Sequence, residues 1–373
     1  MIRQAAVDDL IARARREIDD GLLPSCQLAL GYEGEVVESV TLGDTPAGDE
    51  TRYVMFSCTK APVASTIWQL LAEGKLALSD RIADHIPEFA GNGKADITLE
   101  QVLLHTSGFP HAPLGPATWA DRDARVAAFA KWRLNWEPGT KFEYHATSAH
   151  WVLAELIARV DGIDHRDAMR QRVIDPLKLE ALALGVPAAE QGNVAKVENV
   201  GEPPTSEELM AVLGVPSIDV GEVTEDALLL FAEPANVEVG VPGGGGVTTA
   251  ADLVLFYQAL LHDPLGLWDP AVLASATGEV RNTFPDPMLG VPANRTIGLV
   301  VNGDDGLGTR RGFGHNVGPR AFGHNGAGGQ VAWADPDSGL SFVYLTNGLD
   351  RNVIREGRRC IGLSSRAAAV TAP

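Results

Sequence analysis

Lysine runs out early in this chain. Seven lysines lie within the first 196 residues and none follows Lys196 in a sequence of 373, so no residue beyond 196 can supply a lysine ammonium group. Cysteine is scarce too. Cys26, Cys58 and Cys360 cannot form a fully paired disulfide framework, which fits a reducing compartment. No apolar stretch approaches the length of a membrane span. The opening "MIRQAAVDDLIARARREIDD" carries acids and arginines where a signal peptide needs an apolar run. A cytoplasmic protein without a membrane partner is expected. Positive charge is outweighed, 30 − 49 = −19, and so acidic a surface repels phosphate backbones and anionic lipids. Nucleic acid is therefore a poor partner. Several catalytic signatures are also missing: there is no Gly-x-Ser-x-Gly elbow, no Gly-x-x-x-x-Gly-Lys-Ser/Thr phosphate loop and no His-Glu-x-x-His.

What is present is an ordinary globular composition, 45% hydrophobic and 21% charged, long enough for one large or two closely joined domains. Val7, Leu10, Ile11, Ala14 and Ile18 recur at helical spacing. "CQLALGYEGEVVESVTLGD" reads as two strands turning near Glu33-Gly34, and "ASTIWQLLAEGKLAL" as a helix stopping near Gly74. Residues 96 to 180 read as mostly helical, with Thr147 or Ser148 placed to cap the helix "TSAHWVLAELIARVDG". Residues 185 to 245 are rich in Pro and Gly and read as loops, ending in the run Gly243 to Gly246 ahead of an amphipathic helix. "GQVAWADPDSGLSFVYLTN" gives a strand pair around an Asp-Pro-Asp-Ser-Gly turn, "RNVIREGRRCIGL" a last helix, and "SSRAAAVTAP" a frayed tail.

Strands at both chain ends and helices between them predict an α+β architecture: an antiparallel sheet flanked by helices, with a mostly helical middle. The division is an α/β domain from residues 1–55 and 240–373, a mostly helical domain with a loop-rich insertion over 56–239, and an active site between them.

The chemistry centres on "FSCTKAPVAS". Fourteen serines and seven lysines would give about 0.3 Ser-x-x-Lys matches by chance, so the motif alone is weak; Ser57 with Lys60 is the single instance. Three residues apart on a helix, the two side chains share a face. A serine hydroxyl becomes a good nucleophile when a base takes its proton, and an amine can do so if burial lowers its pKa from about 10.4. A helix N-terminus would add positive potential and free N–H groups for an oxyanion. On these residues alone, a helix cap followed by a solvated lysine is the better reading of the pair. Similarly, His145 and His150 stand five apart, on different helix faces, and read as cap or surface histidines rather than metal ligands.

Three further segments change the balance. "EPGTKFEYHATSAHW" sets Tyr144 between a Pro-Gly turn and a helix, "LLHTSGF" precedes it, and "AFGHNGAGGQVAW" sets His324-Asn325-Gly326 ahead of a strand. Together with Ser57-Cys58-Thr59-Lys60 and "GGGGVTTAADLVLFYQALL", in this order over roughly residues 20 to 360, they resemble the serine β-lactamase and penicillin-binding-protein superfamily, in its class C-like branch with the family VIII esterases. The resemblance implies a β-lactamase/transpeptidase-like fold and a serine hydrolase working through an acyl-enzyme. Ser57 would be the acylated nucleophile, Lys60 would share its proton, and Tyr144 would be the partner base and the acid for the leaving group. The N–H groups of Ser57 and Ala327 would form the oxyanion hole. His324, Asn325 and Gly326 would stand where the superfamily has Lys-Thr-Gly on an edge strand. They join His145, inside the second motif, as candidate substrate-binding residues, while His105 reads as structural. No cofactor and no metal is implied.

Two departures steer the substrate. The second motif reads Tyr144-His145-Ala146, without the superfamily's Asn, and the third lacks its lysine, with Arg310, Arg311 or Arg320 as conceivable substitutes. Both favour a carboxylesterase acting on short-chain esters with a neutral acyl group. The alternatives are a β-lactamase, a D,D-peptidase-like amide hydrolase or an acyltransferase, and, from another class, a non-catalytic binding protein of the same fold. Trp119, Trp132 and Trp136 could line an apolar acyl pocket or fill the core, and a homo-oligomer stays open. Pro62 predicts that the Ser57 turn is irregular, with the regular helix running from about Pro62.

Overall fold

A computed structural model describes residues 1–218 and 223–371. The chain opens with helix α1 (Gln4–Asp19) and the hairpin β1 (Ser25–Tyr32) and β2 (Glu35–Gly43). Glu33 and Gly34 both take positive φ, 55° and 84°, the geometry that matches the twist of a two-residue hairpin turn. Then come α2 (Lys60–Ala72), α3 (Ser148–Asp161) and α4 (Ala250–His262), with short helices between them. The C-terminal part supplies β3 (Val300–Val301), β4 (Phe322–Gly323), β5 (Val331–Asp335), β6 (Leu340–Thr346) and α5 (Val353–Ala368). These strands form one antiparallel sheet in the order β2-β1-β6-β5-β4-β3. The two chain ends thus meet where Ala29 of β1 pairs with Val343 of β6.

Alternation along the strands sets what each face meets. Leu28, Leu30, Trp333, Phe342 and Tyr344 point to one side, where they pack with Val7, Leu10 and Ala14 of α1 and Leu363 and Ala367 of α5. Ala29, Ala332, Ala334, Val343 and Leu345 point to the other and join a core that includes Val254 and Tyr257 of α4 and continues through α2 and α3. The small alanines let α4 lie close to the sheet.

Four local expectations are corrected. Helix α5 continues to Ala368 and Thr371 bridges to Ile2, so the tail is held down as far as it is described, with residues 372–373 outside the described part. The stretch 185–245 carries the helices Ser206–Leu213, Glu225–Phe231 and Pro234–Val239; Thr205 and Thr224 cap the first two, and residues 219–222 lie outside the described part. Thr147 stands at the N-cap of α3 but its side chain makes no capping bond, and Ser148 Oγ instead donates to the Phe109 carbonyl, 3.1 Å away. Finally, β4 is not an edge strand, because Val300 and Val301 pair outside it.

Candidate active site

Ser57 sits on a tight turn. The strand Tyr53–Val54 pairs with Gly246–Thr248, Phe56 takes φ +43°, and Phe56–Thr59 form a 3₁₀ turn before α2 begins at Lys60. Pro62 then falls within the first turn of α2, where its missing N–H has no partner to lose. The turn is irregular as Pro62 implies, and the regular helix starts two residues before it. Positive φ at a bulky Phe is backbone strain of a kind that persists where surrounding contacts over-determine it. Here Met55 N–H donates to Gly246 O and Gly246 N–H donates to Thr59 Oγ1, at 2.9 and 3.0 Å.

The glycine run makes this closeness possible. A Cβ on Gly246 would stand 2.3 Å from Met55 Cε, and one on Gly243 would stand 2.9 Å from the Ala146 carbonyl oxygen. Bare backbone can approach both, and it brings the Gly243 carbonyl to Lys60.

Lys60 is fully buried. Its Nζ lies 3.2 Å from Ser57 Oγ, 2.8 Å from Ala146 O and 2.5 Å from Gly243 O. Burial first, and then the charge of Arg295, hold its pKa well below the usual lysine value. A neutral amine fits these contacts: its two N–H groups satisfy the two carbonyls, and its lone pair faces the Ser57 hydroxyl.

Tyr144 completes the triangle, its Oη donating to Ser57 Oγ at 2.9 Å. The phenol is pushed up to about 12 by burial, against the pull of Arg295 and of the Ser57 hydrogen bond. It therefore holds its proton at neutral pH, beside a lysine whose burial favours the neutral amine.

The Tyr144 loop is clamped by "LLHTSGF". His145 N–H donates to His105 Nδ1 at 3.1 Å, and the His105 and Tyr144 rings lie 4.9 Å apart. His145 is not brought to the cavity. It is fully buried, its Nε2 accepts from Phe109 N–H at 3.1 Å, and its Nδ1 donates to the Glu143 carbonyl at 2.6 Å. Both ring nitrogens are occupied by backbone, which positions the loop and leaves nothing for substrate. His150 is buried as well, so neither histidine is a surface residue.

His324, Asn325, Gly326 and Ala327 line a cavity of about 510 Å³ together with Ser57 and Tyr144. His324 donates its N–H to Tyr257 Oη and pairs Nδ1 with Asn325 O, at 3.0 and 2.9 Å, so Nε2 is the ring atom left to accept. Burial and then Arg295 lower its pKa well below the usual histidine value. Asn325 lines the cavity but uses its amide on the Gly312 carbonyl and the Ala332 N–H, at 2.8 and 3.1 Å. Among the described residues, no acceptor pairs with the N–H of Ser57 or of Ala327.

A second cavity, about 360 Å³, also borders Ser57 and Ala327 and is lined by Phe56, Leu114, Trp119, Leu228 and Phe231. Trp119 is thus the one tryptophan of the three that reaches a cavity beside Ser57. Trp132 is core, its Nε1 bonded to Pro113 O at 2.9 Å, and Trp136 donates to Glu143 at 3.0 Å.

Arg295 is the residue that sequence reasoning missed. It is buried, lies in the larger cavity, and places its guanidinium 5.1 Å from the centre of the Tyr144 ring and 3.4 Å from His324 Nε2. The conceivable substitutes for a third-motif cation do not fill that role. Arg310 bonds Leu289 O at the surface, Arg311 is paired with Asp305, and Arg320 with Asp337. No periodicity or motif marks Arg295 in "VPANRTIGLVV"; a residue pairing with strand β3 brings it beside Tyr144.

The Beta-lactamase family model matches residues 7–360. The chain belongs to the Beta-lactamase family. Among its relatives is the esterase/beta-lactamase LipL of Mycobacterium tuberculosis, 29% identical over 352 residues, 86% of this chain and 76% of that one. In structure it is similar to a family VIII carboxylesterase, with TM-score 0.78, 27% identity and 97% of each chain covered. It is equally similar to a penicillin-binding-protein homologue from Caulobacter crescentus, with TM-score 0.77, 29% identity and 98% and 97% covered. Membership places the chain in the serine hydrolase superfamily with a β-lactamase/transpeptidase-like fold. Among the described residues no helix is long and apolar enough to cross a membrane.

Proposed function

We propose that this family member is a carboxylesterase that works through an acyl-enzyme on Ser57, its active site lying between the sheet-bearing and helical parts of the chain. The observation that carries the reading is the triangle of Ser57, Lys60 and Tyr144, in which a buried amine and a phenol both contact one hydroxyl. Esterase relatives support it.

In the first half-reaction Lys60 takes the Ser57 proton as Oγ attacks the ester carbonyl, and the N–H groups of Ser57 and Ala327 receive the oxyanion. The C–O bond to the alcohol breaks, and Tyr144 Oη protonates the departing oxygen. The proton that Lys60 took from Ser57 balances the one that Tyr144 gave to the alcohol, so the Lys60–Tyr144 pair as a whole carries no net change into the acyl-enzyme. In the second half-reaction water attacks the acyl carbon, its proton passes to the same pair, and Ser57 Oγ leaves reprotonated. Tyr144 lines the larger cavity and is absent from the smaller one, so the leaving alcohol occupies the former and the acyl chain the apolar smaller one.

The test combines p-nitrophenyl acetate hydrolysis with intact mass after a fluorophosphonate probe. One adduct on the wild type and none on Ser57→Ala, with hydrolysis lost in the variant, is the expected result. Hydrolysis that survives in Ser57→Ala overturns the reading.

A further inference from the structure

Four acidic residues line the larger cavity: Glu225, Asp286, Asp350 and Glu356. Three of them are turned to other partners. Glu225 is paired with Arg351 at 3.0 Å, and Asp350 with Arg355 at 2.6 Å and with Arg359. Asp286 Oδ1 accepts from Met288 and Leu289 N–H at 2.8 and 3.2 Å. Glu356 is different. Its carboxyl makes no hydrogen bond and no ion pair among the described residues, and neither of its oxygens is sealed inside the protein. It stands half-buried on the first turn of α5, close to the loop that carries the oxyanion N–H. A Cβ on Gly329, two residues past Ala327, would lie 3.6 Å from Glu356 Cγ. Gly328 and Gly329 both take positive φ, 73° and 88°, so bare backbone runs beside the glutamate stem.

The cations of the cavity limit what Glu356 can receive. Arg311 is paired with Asp305 and Arg351 with Glu225. Arg295 lies over the rings of Phe142 and Tyr144, 5.2 and 5.1 Å from their centres, and these share its charge. An alcohol carrying a cation would still meet Arg295, and one carrying an anion would meet Glu356. A neutral hydroxyl is opposed by neither. Burial pushes the Glu356 carboxyl up to about 7, so near neutral pH it is only partly charged. Such a group anchors a cation weakly, yet both of its protonation states accept a hydrogen bond from a hydroxyl.

We infer that Glu356 is a specificity-determining residue that accepts a hydrogen bond from a free hydroxyl on the leaving alcohol, and that the preferred esters are partial esters of polyols: an apolar acyl chain on one oxygen and an unesterified hydroxyl on the same alcohol. The side is assigned by Tyr144, which lines the same cavity and protonates the leaving alcohol there. The bonds made and broken are those of the ester hydrolysis above, giving an apolar carboxylic acid and a free polyol, with Glu356 unchanged. The inference rests on the esterase reading and adds a substrate class to it.

The experiment compares glycerol 1-butyrate with 2-methylbutyl butyrate, in which a methyl replaces each hydroxyl, and divides each kcat/KM by that ester's own rate of hydrolysis by hydroxide. A hydrogen bond to a carboxylate predicts that wild type favours the glycerol ester by roughly 10- to 100-fold. Glu356→Leu should bring this ratio to about one, whereas Glu356→Gln, which keeps an acceptor oxygen, should keep most of it. A loss of packing alone would lower both rates and leave the ratio where it was. A wild-type ratio at or below one overturns the inference and leaves the esterase reading intact, and so does a ratio that Glu356→Leu leaves unchanged. Should Glu356→Leu not fold, Glu356→Met takes its place and the wild-type ratio still decides. Butyrylcholine and its uncharged isostere 3,3-dimethylbutyl butyrate give the second comparison, expected at a ratio of one or below. A preference for the choline ester that Glu356→Gln abolishes would make Glu356 a cation site and overturn the polyol assignment. If no ester is cleaved and the fluorophosphonate leaves no adduct, the esterase reading has failed and the inference falls with it; if no ester is cleaved but the adduct forms, the nucleophile stands and only the inference is overturned.

Discussion

Tyr144 Oη and Lys60 Nζ both reach Ser57 Oγ, at 2.9 and 3.2 Å, the lysine from three positions along the chain and the tyrosine from 87. One hydroxyl therefore accepts from an acid and faces a base at the same time.

Removing the acid tests its share. Tyr144→Phe keeps the ring beside His105 and deletes only the hydroxyl, so folding should be retained. Turnover is expected to fall about 10²–10⁴-fold. Near-normal kcat and kcat/KM with an alkyl ester such as ethyl butyrate, whose alkoxide leaves poorly without a proton, would remove Tyr144 from the proton path.

Lys60 sets the pH dependence. Its folded pKa lies well below its ordinary value, and the neutral form is the base. Activity should be lost as pH falls through that depressed pKa and rise to a plateau above it. Tyr144, up at about 12, should add no alkaline decline in the range where the protein stays folded. A kcat/KM profile with a falling alkaline limb at mildly basic pH contradicts this assignment.

The same shift has a stability consequence. Between the folded pKa of Lys60 and the ordinary value of 10.5, the unfolded chain binds a proton that the folded chain does not, so wild-type stability rises with pH across that window. In Lys60→Met this contribution is absent. Urea unfolding should show the variant gaining on wild type as pH is lowered from 10.5, and the trend should vanish if Lys60 is charged in the fold.

Gly243 tests the backbone contribution. In Gly243→Ala the new methyl meets Ala146 O, moving one or both carbonyls that hold Lys60. A misplacement of about 1 Å would cost on the order of 100-fold in rate, and the smaller shift needed here sets that figure as the upper bound. A loss in kcat much larger than any change in Tm is expected; unchanged kcat would show that the Gly243 carbonyl does not position the base.

The acyl side is read from chain length. Phe231→Ala enlarges the cavity shared with Trp119 and should move the optimum of a p-nitrophenyl ester series to longer acyl chains. An unmoved optimum would place the acyl chain elsewhere.

The sequence by itself determined a good deal. Ser57 and Lys60 are neighbours along the chain, and local geometry brings them together. Strand alternation and the Glu33-Gly34 turn fix how the sheet's two faces are made, and the order of motifs points to Tyr144 and His324. Tertiary structure alone decided the rest, because the deciding contacts join residues far apart with no shared pattern. Gly243 accepts from Lys60 across 183 positions, and only the folded path of the glycine run shows why bare backbone is needed there. His145 looks like part of the site in its motif, yet two backbone partners bury it. Arg295 looks like any arginine in a loop, yet pairing beside a two-residue strand sets it against Tyr144. A cation's partners, or its lack of them, are a property of three-dimensional neighbours, and that is why a chain with no lysine after residue 196 still places a positive charge beside the third motif.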